Sequence, residues 1–119
     1  MKTFDQHSRF GIWGFGVMGK SAVSYLHASG YPVSILDKRM PTLQEQQFLQ
    51  EKNIAWYTQD MESDLFFNSC DFIILSPGIN INQLHYATYK HKFISELDFF
   101  VSIFINRSLP LPAALAKHQ

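Results

Sequence analysis

The chain carries one cysteine, Cys70, among its 119 residues, so no disulfide can close within it and it suits a reducing compartment. A free thiol just ahead of an apolar run is expected to be a core residue. Net charge is missing too: ten Lys and Arg are matched by ten Asp and Glu, for a formal charge of zero. There is no broad positive field to attract nucleic acid or an anionic membrane, so any anion the protein binds must be held locally. Long hydrophobic runs are also absent. The opening MKTFDQHSRF is polar and charged, unlike the apolar stretch of a signal peptide. The longest apolar run near the end, over 99–105, is interrupted by Ser102 and falls far short of the roughly 20 residues of a membrane helix. A cytoplasmic protein is the expectation. His7, His27, His85, His91 and His118 do not pair at metal-ligand spacing with one another or with Cys70, so they read as surface residues and no metal site is expected. Ser76 lacks the G-x-S-x-G elbow of a hydrolase nucleophile. No G-x-x-x-x-G-K-[ST] loop for ATP occurs, and no internal repeat is visible.

What the chain does have is apolar bulk: 46% hydrophobic residues and 15% aromatic ones, eleven of them Phe. That composition packs a globular core, and the length fits one folded unit over 1–105 with a loosely held tail over 106–119, where Pro110 and Pro112 break regular structure. Residues 10–13 form a short apolar run that ends directly in Gly14-Phe15-Gly16-Val17-Met18-Gly19, a strand followed by a tight turn. Over 20–29, Ala22, Val23, Tyr25 and Leu26 recur at helical spacing, and Gly30 supplies the stop. Residues 33–36 make a second strand that ends at Asp37. Thr42 and Glu45 form a T-x-x-E capping box, which predicts a helix over 43–52 ended by Asn53. A strand at 54–57, a brief helix at 64–69 and a strand at 72–75 follow. The last of these is apolar throughout, as in a strand covered on both faces, and stops at Ser76-Pro77-Gly78. A helix over 83–90, a strand over 93–95 and a helix over 96–103 complete the alternation. This is the pattern of an α/β fold, a Rossmann-like open parallel sheet of about five strands covered by helices.

In a turn from strand to helix, glycines permit positive φ and let a ligand approach the peptide planes, while the free N–H groups of the first helical turn and the helix dipole favour an anion. Gly14, Gly16 and Gly19, with Val17 and Met18 between them, therefore form a candidate phosphate or diphosphate cradle. Asp37 stands where a dinucleotide-binding fold carries the acid that holds a ribose hydroxyl. It is followed at once by Lys38 and Arg39, and spacing alone does not separate NAD from a UDP-sugar. Asp37 could equally cap its own loop.

The second half narrows the choice. CDFIILSPGI at 70–79, IWGFGVMGKSAVSYLHASGYPVSILDKR ahead of it and ISELDFF behind it resemble, in order and spacing, the N-terminal domain of the Mur ligase family. The resemblance covers 10–104. The glycine loop and Asp37-Lys38-Arg39 look most like the branch that adds D-glutamate to UDP-N-acetylmuramoyl-L-alanine. The resemblance implies that the N–H groups of Val17 and Met18 meet the diphosphate, that Asp37 and Lys38 lie beside the uracil, that Arg39 adds charge near the nucleotide, and that Ser76 and Gly78 wall the far side. Glu96 matches an acidic position of the family, either capping the last helix or touching ligand. In this family ATP and magnesium act in a central domain that opens with a G-T-N-G-K-S/T loop; here INRSLPLPAALAKHQ stands instead. The expectation is a UDP-sugar-binding domain truncated before that central domain, holding no cofactor and unable to ligate alone. Two other readings stay open. One is an NAD-type dinucleotide-binding module. The other is a non-catalytic remnant that self-associates or docks a protein through the last helix, with Phe99, Phe100, Ile103 and Phe104 as the adhesive face.

Overall fold

A computed structural model describes residues 4–106. The expected tail over 106–119 lies outside the described residues, except for Asn106, which belongs to the last helix. The elements are β1 (Phe10–Trp13), α1 (Val17–Ala28), β2 (Val33–Asp37), α2 (Leu43–Lys52), β3 (Ala55–Thr58), α3 (Ser63–Ser69), β4 (Phe72–Leu75), a 3-10 segment (Leu84–Lys92), β5 (Phe93–Ser95) and α4 (Glu96–Asn106). The sheet is wholly parallel, in the order β3-β2-β1-β4-β5. All four residues of β1 are buried, because it pairs with β2 on one side and β4 on the other.

Helices cover both faces. Ala22, Val23 and Leu26 of α1, Leu49 of α2 and Phe99, Phe100 and Ile103 of α4 pack over Phe10, Ile12, Ile35 and Ile74. Phe66 and Phe67 of α3 and Tyr86 of the 3-10 segment pack with Trp13, Leu36, Cys70 and Ile73 on the other face. Cys70 is in the core, as expected, and burial pushes its thiol pKa up. Phe99 and Phe100 are fully buried and Ile103 nearly so, so three of the four residues that suggested an adhesive stripe face inward.

Local chemistry explains the boundaries. The Thr42 hydroxyl accepts from the Glu45 N–H while the Glu45 carboxylate accepts from the Thr42 N–H, and Asn53 closes α2 in the left-handed conformation. Two expectations shift. α1 begins at Val17, three residues before the expected start at 20, because Gly19 packs directly on the glycine turn. The expected helix over 83–90 is a 3-10 segment, whose three-residue turn eclipses Tyr86 and Tyr89 so that both meet Phe67, at 5.8 and 4.8 Å between ring centroids.

α3 comes close to the sheet at one place. A side chain on Gly11 would put its Cβ 2.5 Å from Phe66 Cζ and 2.6 Å from Cys70 Sγ. Gly11→Ala is therefore expected to destabilise the domain by about 1–3 kcal/mol through overpacking, a drop of roughly 4–8 °C in Tm for each kcal/mol in a domain of this size. Thermal unfolding by circular dichroism measures it, and a Tm equal to the parent's would show that α3 has room to move.

Candidate functional site

Strand order turns at β1. The chain leaves β1 towards β2 and leaves β4 towards β5, so the two connections diverge from adjacent strands and leave a crevice at their C-terminal ends. The loops 14–16 and 76–78 follow β1 and β4 at those ends.

The three glycines of the first loop do different jobs. Gly14 has φ +98°, and a side chain there would run into Ser76. At Gly19 a Cβ would lie 2.6 Å from the Gly14 carbonyl oxygen, so the absence of a side chain lets α1 sit against the loop. Gly16, the N-cap of α1, has ordinary negative φ, and nothing lies within 4 Å of a Cβ built on it. Its surroundings are open. No side chain caps α1 and its first turn holds no acidic residue. The first N–H groups of a helix have no partner inside it, and here they face solvent beside exposed Gly16 and Val17, with half-buried Met18 and buried Gly19 behind. The arrangement is an unneutralised positive helix end, suited to an anion with several oxygens.

Asp37, Lys38 and Arg39 flank this loop at the end of β2. The Asp37 carboxylate accepts from the Phe15 N–H at 2.8 Å and from the Lys38 N–H at 2.7 Å, so in this structure it ties its own loop to the glycine turn. Lys38 is exposed and its ammonium forms no ion pair among the described residues. Arg39 is bridged to Glu45 at 2.7 and 2.9 Å, donates to the Phe15 carbonyl at 3.2 Å and lies over Trp56, 5.3 Å from the ring centroid. Sequence reasoning missed Trp56, whose indole N–H also donates to the Arg39 carbonyl. Nothing in a strand pattern marks a tryptophan as the neighbour of a loop 17 residues away.

On the other side, the Ser76 hydroxyl lies 2.8 Å from the Gly14 carbonyl and 3.2 Å from Glu96 Oε1. Gly78 is exposed, with free space around it. Glu96 is 5% exposed and does not cap α4; that is done by Ser95, whose hydroxyl accepts from the Asp98 N–H at 3.0 Å. A hydroxyl has one proton to give, so Ser76 can donate to the Gly14 carbonyl or to Glu96 Oε1, and it links the two. Burial raises the Glu96 pKa above the usual carboxylate value, and the hydrogen bond from Ser76 opposes that shift.

A family model described as Mur ligase MurD-like, N-terminal domain, matches residues 8–96, a span that includes every residue of the two crevice walls. No curated protein matches the chain.

The raised Glu96 pKa has a measurable consequence. A carboxyl with a raised folded-state pKa gives stability that is complete below its unfolded-state pKa and is lost as pH rises through the folded value. Glu96→Gln keeps a donor towards Ser76 and cannot ionise. It is expected to match the parent in urea unfolding at pH 4 and to exceed it at pH 8, by about 1.4 kcal/mol for each unit by which the pKa is raised. An equal difference at both pH values would mean that folding leaves the Glu96 pKa unchanged.

Proposed function

Because the chain belongs to the Mur ligase MurD-like N-terminal domain family, we propose that it binds the UDP moiety of UDP-N-acetylmuramoyl-L-alanine as the substrate domain of a D-glutamate-adding, ATP-dependent peptidoglycan-precursor ligase. The observation that carries this reading is the open, uncapped N-terminus of α1 at the strand-order switch, with no acid in its first turn. A diphosphate there would accept from the N–H groups of Gly16, Val17, Met18 and Gly19, and the helix end would contribute about half a positive charge. Asp37 and Lys38 lie on the side towards which the nucleoside would extend, and Lys38 has its charge free to meet it. Ser76 and Gly78 form the opposite wall. Gly16 matters because its missing side chain is what leaves the peptide plane approachable.

Ligation needs chemistry that these residues do not contain. ATP and magnesium belong, in this reading, to a central ligase domain, since no G-x-x-x-x-G-K-[ST] loop occurs in the chain. The setting we infer is the cytoplasm, where the nucleotide-linked precursor would be built; no helix among the described residues is long and apolar enough to cross a membrane.

Thermal unfolding with UDP-N-acetylmuramoyl-L-alanine, UDP, NAD and ATP in parallel tests the reading, because a ligand that binds only the folded state must stabilise it. At ten times its Kd a UDP ligand is expected to add about 1.4 kcal/mol, or roughly 6–11 °C for a domain of this size. Gly16→Ala is expected to unfold within about 0.5 kcal/mol of the parent and to lose most of that shift, since its methyl group occupies the cradle and nothing else. A shift with NAD alone would identify a dinucleotide module instead. An undiminished UDP shift in Gly16→Ala would remove the glycine loop from the site.

A further inference from the structure

The Phe15 peptide sits between the two halves of the site and is held at both ends. Its N–H donates to Asp37, and its carbonyl accepts from Arg39 Nη2 at 3.2 Å. The Arg39 guanidinium has five N–H groups, and each has a direction. Nη1 donates to Glu45 Oε1 at 2.7 Å and to the Met40 carbonyl at 3.4 Å. Nη2 donates to Glu45 Oε2 at 2.9 Å and to Phe15. Nε faces Asp37 Oδ2 at 4.0 Å. One face of the guanidinium lies over Trp56. Both terminal nitrogens are engaged, and only Nε, 4.0 Å from Asp37, has no hydrogen bond among the described residues.

Glu45 is the anchor of this arrangement. It takes both Arg39 contacts and the Thr42 N–H, and Lys20 of α1 lies 3.7 Å from its Oε2. Its side chain is 11% exposed, while that of Arg39 is 43% exposed, so the fixed partner is the acid. Arg39 first, then the Thr42 N–H, hold the Glu45 carboxyl down to about 2 against the opposing effect of burial. The pair is ionised at every pH above the ordinary carboxylate range.

We propose that Arg39 and Glu45 are positioning residues: Glu45, at the start of α2, aims Arg39 at the Phe15 carbonyl and so sets the peptide from which the anion-binding turn departs. This rests on the glycine loop being the ligand cradle. The contrary role, Arg39 as a direct contact to the nucleotide, makes the opposite forecast. Removing the Glu45 charge would then free a cation beside an anionic ligand and delete a negative charge near it, so binding would tighten. Under the positioning role the same change releases the Phe15 carbonyl and binding weakens.

Glu45→Gln separates the two, because glutamine still serves a capping box and only the charged hold on Arg39 is lost. The parent, Glu45→Gln, Arg39→Ala and the double variant would be compared by amide hydrogen exchange without ligand and by calorimetric titration with UDP. In Glu45→Gln the Phe15 amide is expected to exchange about tenfold faster, while the Leu49 and Gln50 amides of α2 keep their rates, which a general loss of stability would not allow. UDP binding is expected to weaken about fivefold or more. In the Arg39→Ala background Glu45→Gln should change neither quantity further, the mark of two residues acting as one unit. Unchanged Phe15 exchange, or UDP binding that is unchanged or tighter in Glu45→Gln, would overturn the proposal. If the parent does not bind UDP, the cradle reading fails with the binding half of the inference, while Phe15 exchange, read without ligand, still decides whether the clamp exists.

Discussion

The structure depends on one backbone constraint: a strand buried along its whole length must become a helix within three residues, Gly14, Phe15 and Gly16. Trp13 ends β1 and Val17 begins α1, so the turn has no slack. It can be made only if Gly14 takes positive φ and if Gly19 lets the helix rest on the turn itself. The result is a helix with no side-chain cap among the described residues, starting at the junction of two diverging connections. Binding capacity and tightness of the fold come from the same geometry, and only Gly16 is free of any packing duty.

A turn this tight needs to be held from outside, and the protein does so from both sides with carboxyl groups, Glu45 and Glu96, whose pKa values move in opposite directions. On the β2 side, Asp37 accepts the Phe15 N–H while the ionised Glu45 steers Arg39 to the Phe15 carbonyl. On the β4 side, the buried Glu96 reaches the Gly14 carbonyl through the Ser76 hydroxyl. The difference follows from partners. Glu45 has a guanidinium, an ammonium and a backbone N–H around it and its pKa is lowered, whereas Glu96 is buried and its pKa is raised, with the Ser76 hydrogen bond opposing the shift. The third carboxylate of the turn, Asp37, is held by the N–H groups of Phe15 and Lys38.

Much of this was legible along the chain. The alternation of apolar runs with helical periods specifies a parallel α/β sheet, T-x-x-E at Thr42 and Glu45 specifies the start of α2, and glycines between a strand and a helix specify a tight turn; all three are short-range patterns, written within one or two turns of chain. The start of α1 was misread because glycine lowers helix propensity and hides the fact that the Gly14 to Gly19 contact forces the helix to begin early.

The remaining features were decided only in three dimensions. Glu45 reads in sequence as a cap and is also the partner of Arg39; Glu96 reads as a cap of the last helix or a ligand contact, and is buried against Ser76 while Ser95 caps the helix. The contacts that assign these roles join residues distant in sequence, 24 positions apart for Phe15 and Arg39 and 62 for Gly14 and Ser76. Which donor meets which acceptor across that distance depends on strand register and on how closely the helices approach the sheet, and no local pattern encodes either. The sequence by itself determined the kind of fold and the place of the glycine turn, because those follow from residues in contact along the chain; the tertiary structure decided which side chains brace that turn and in which direction their pKa values move, because desolvation and hydrogen-bond partners exist only once the sheet has formed.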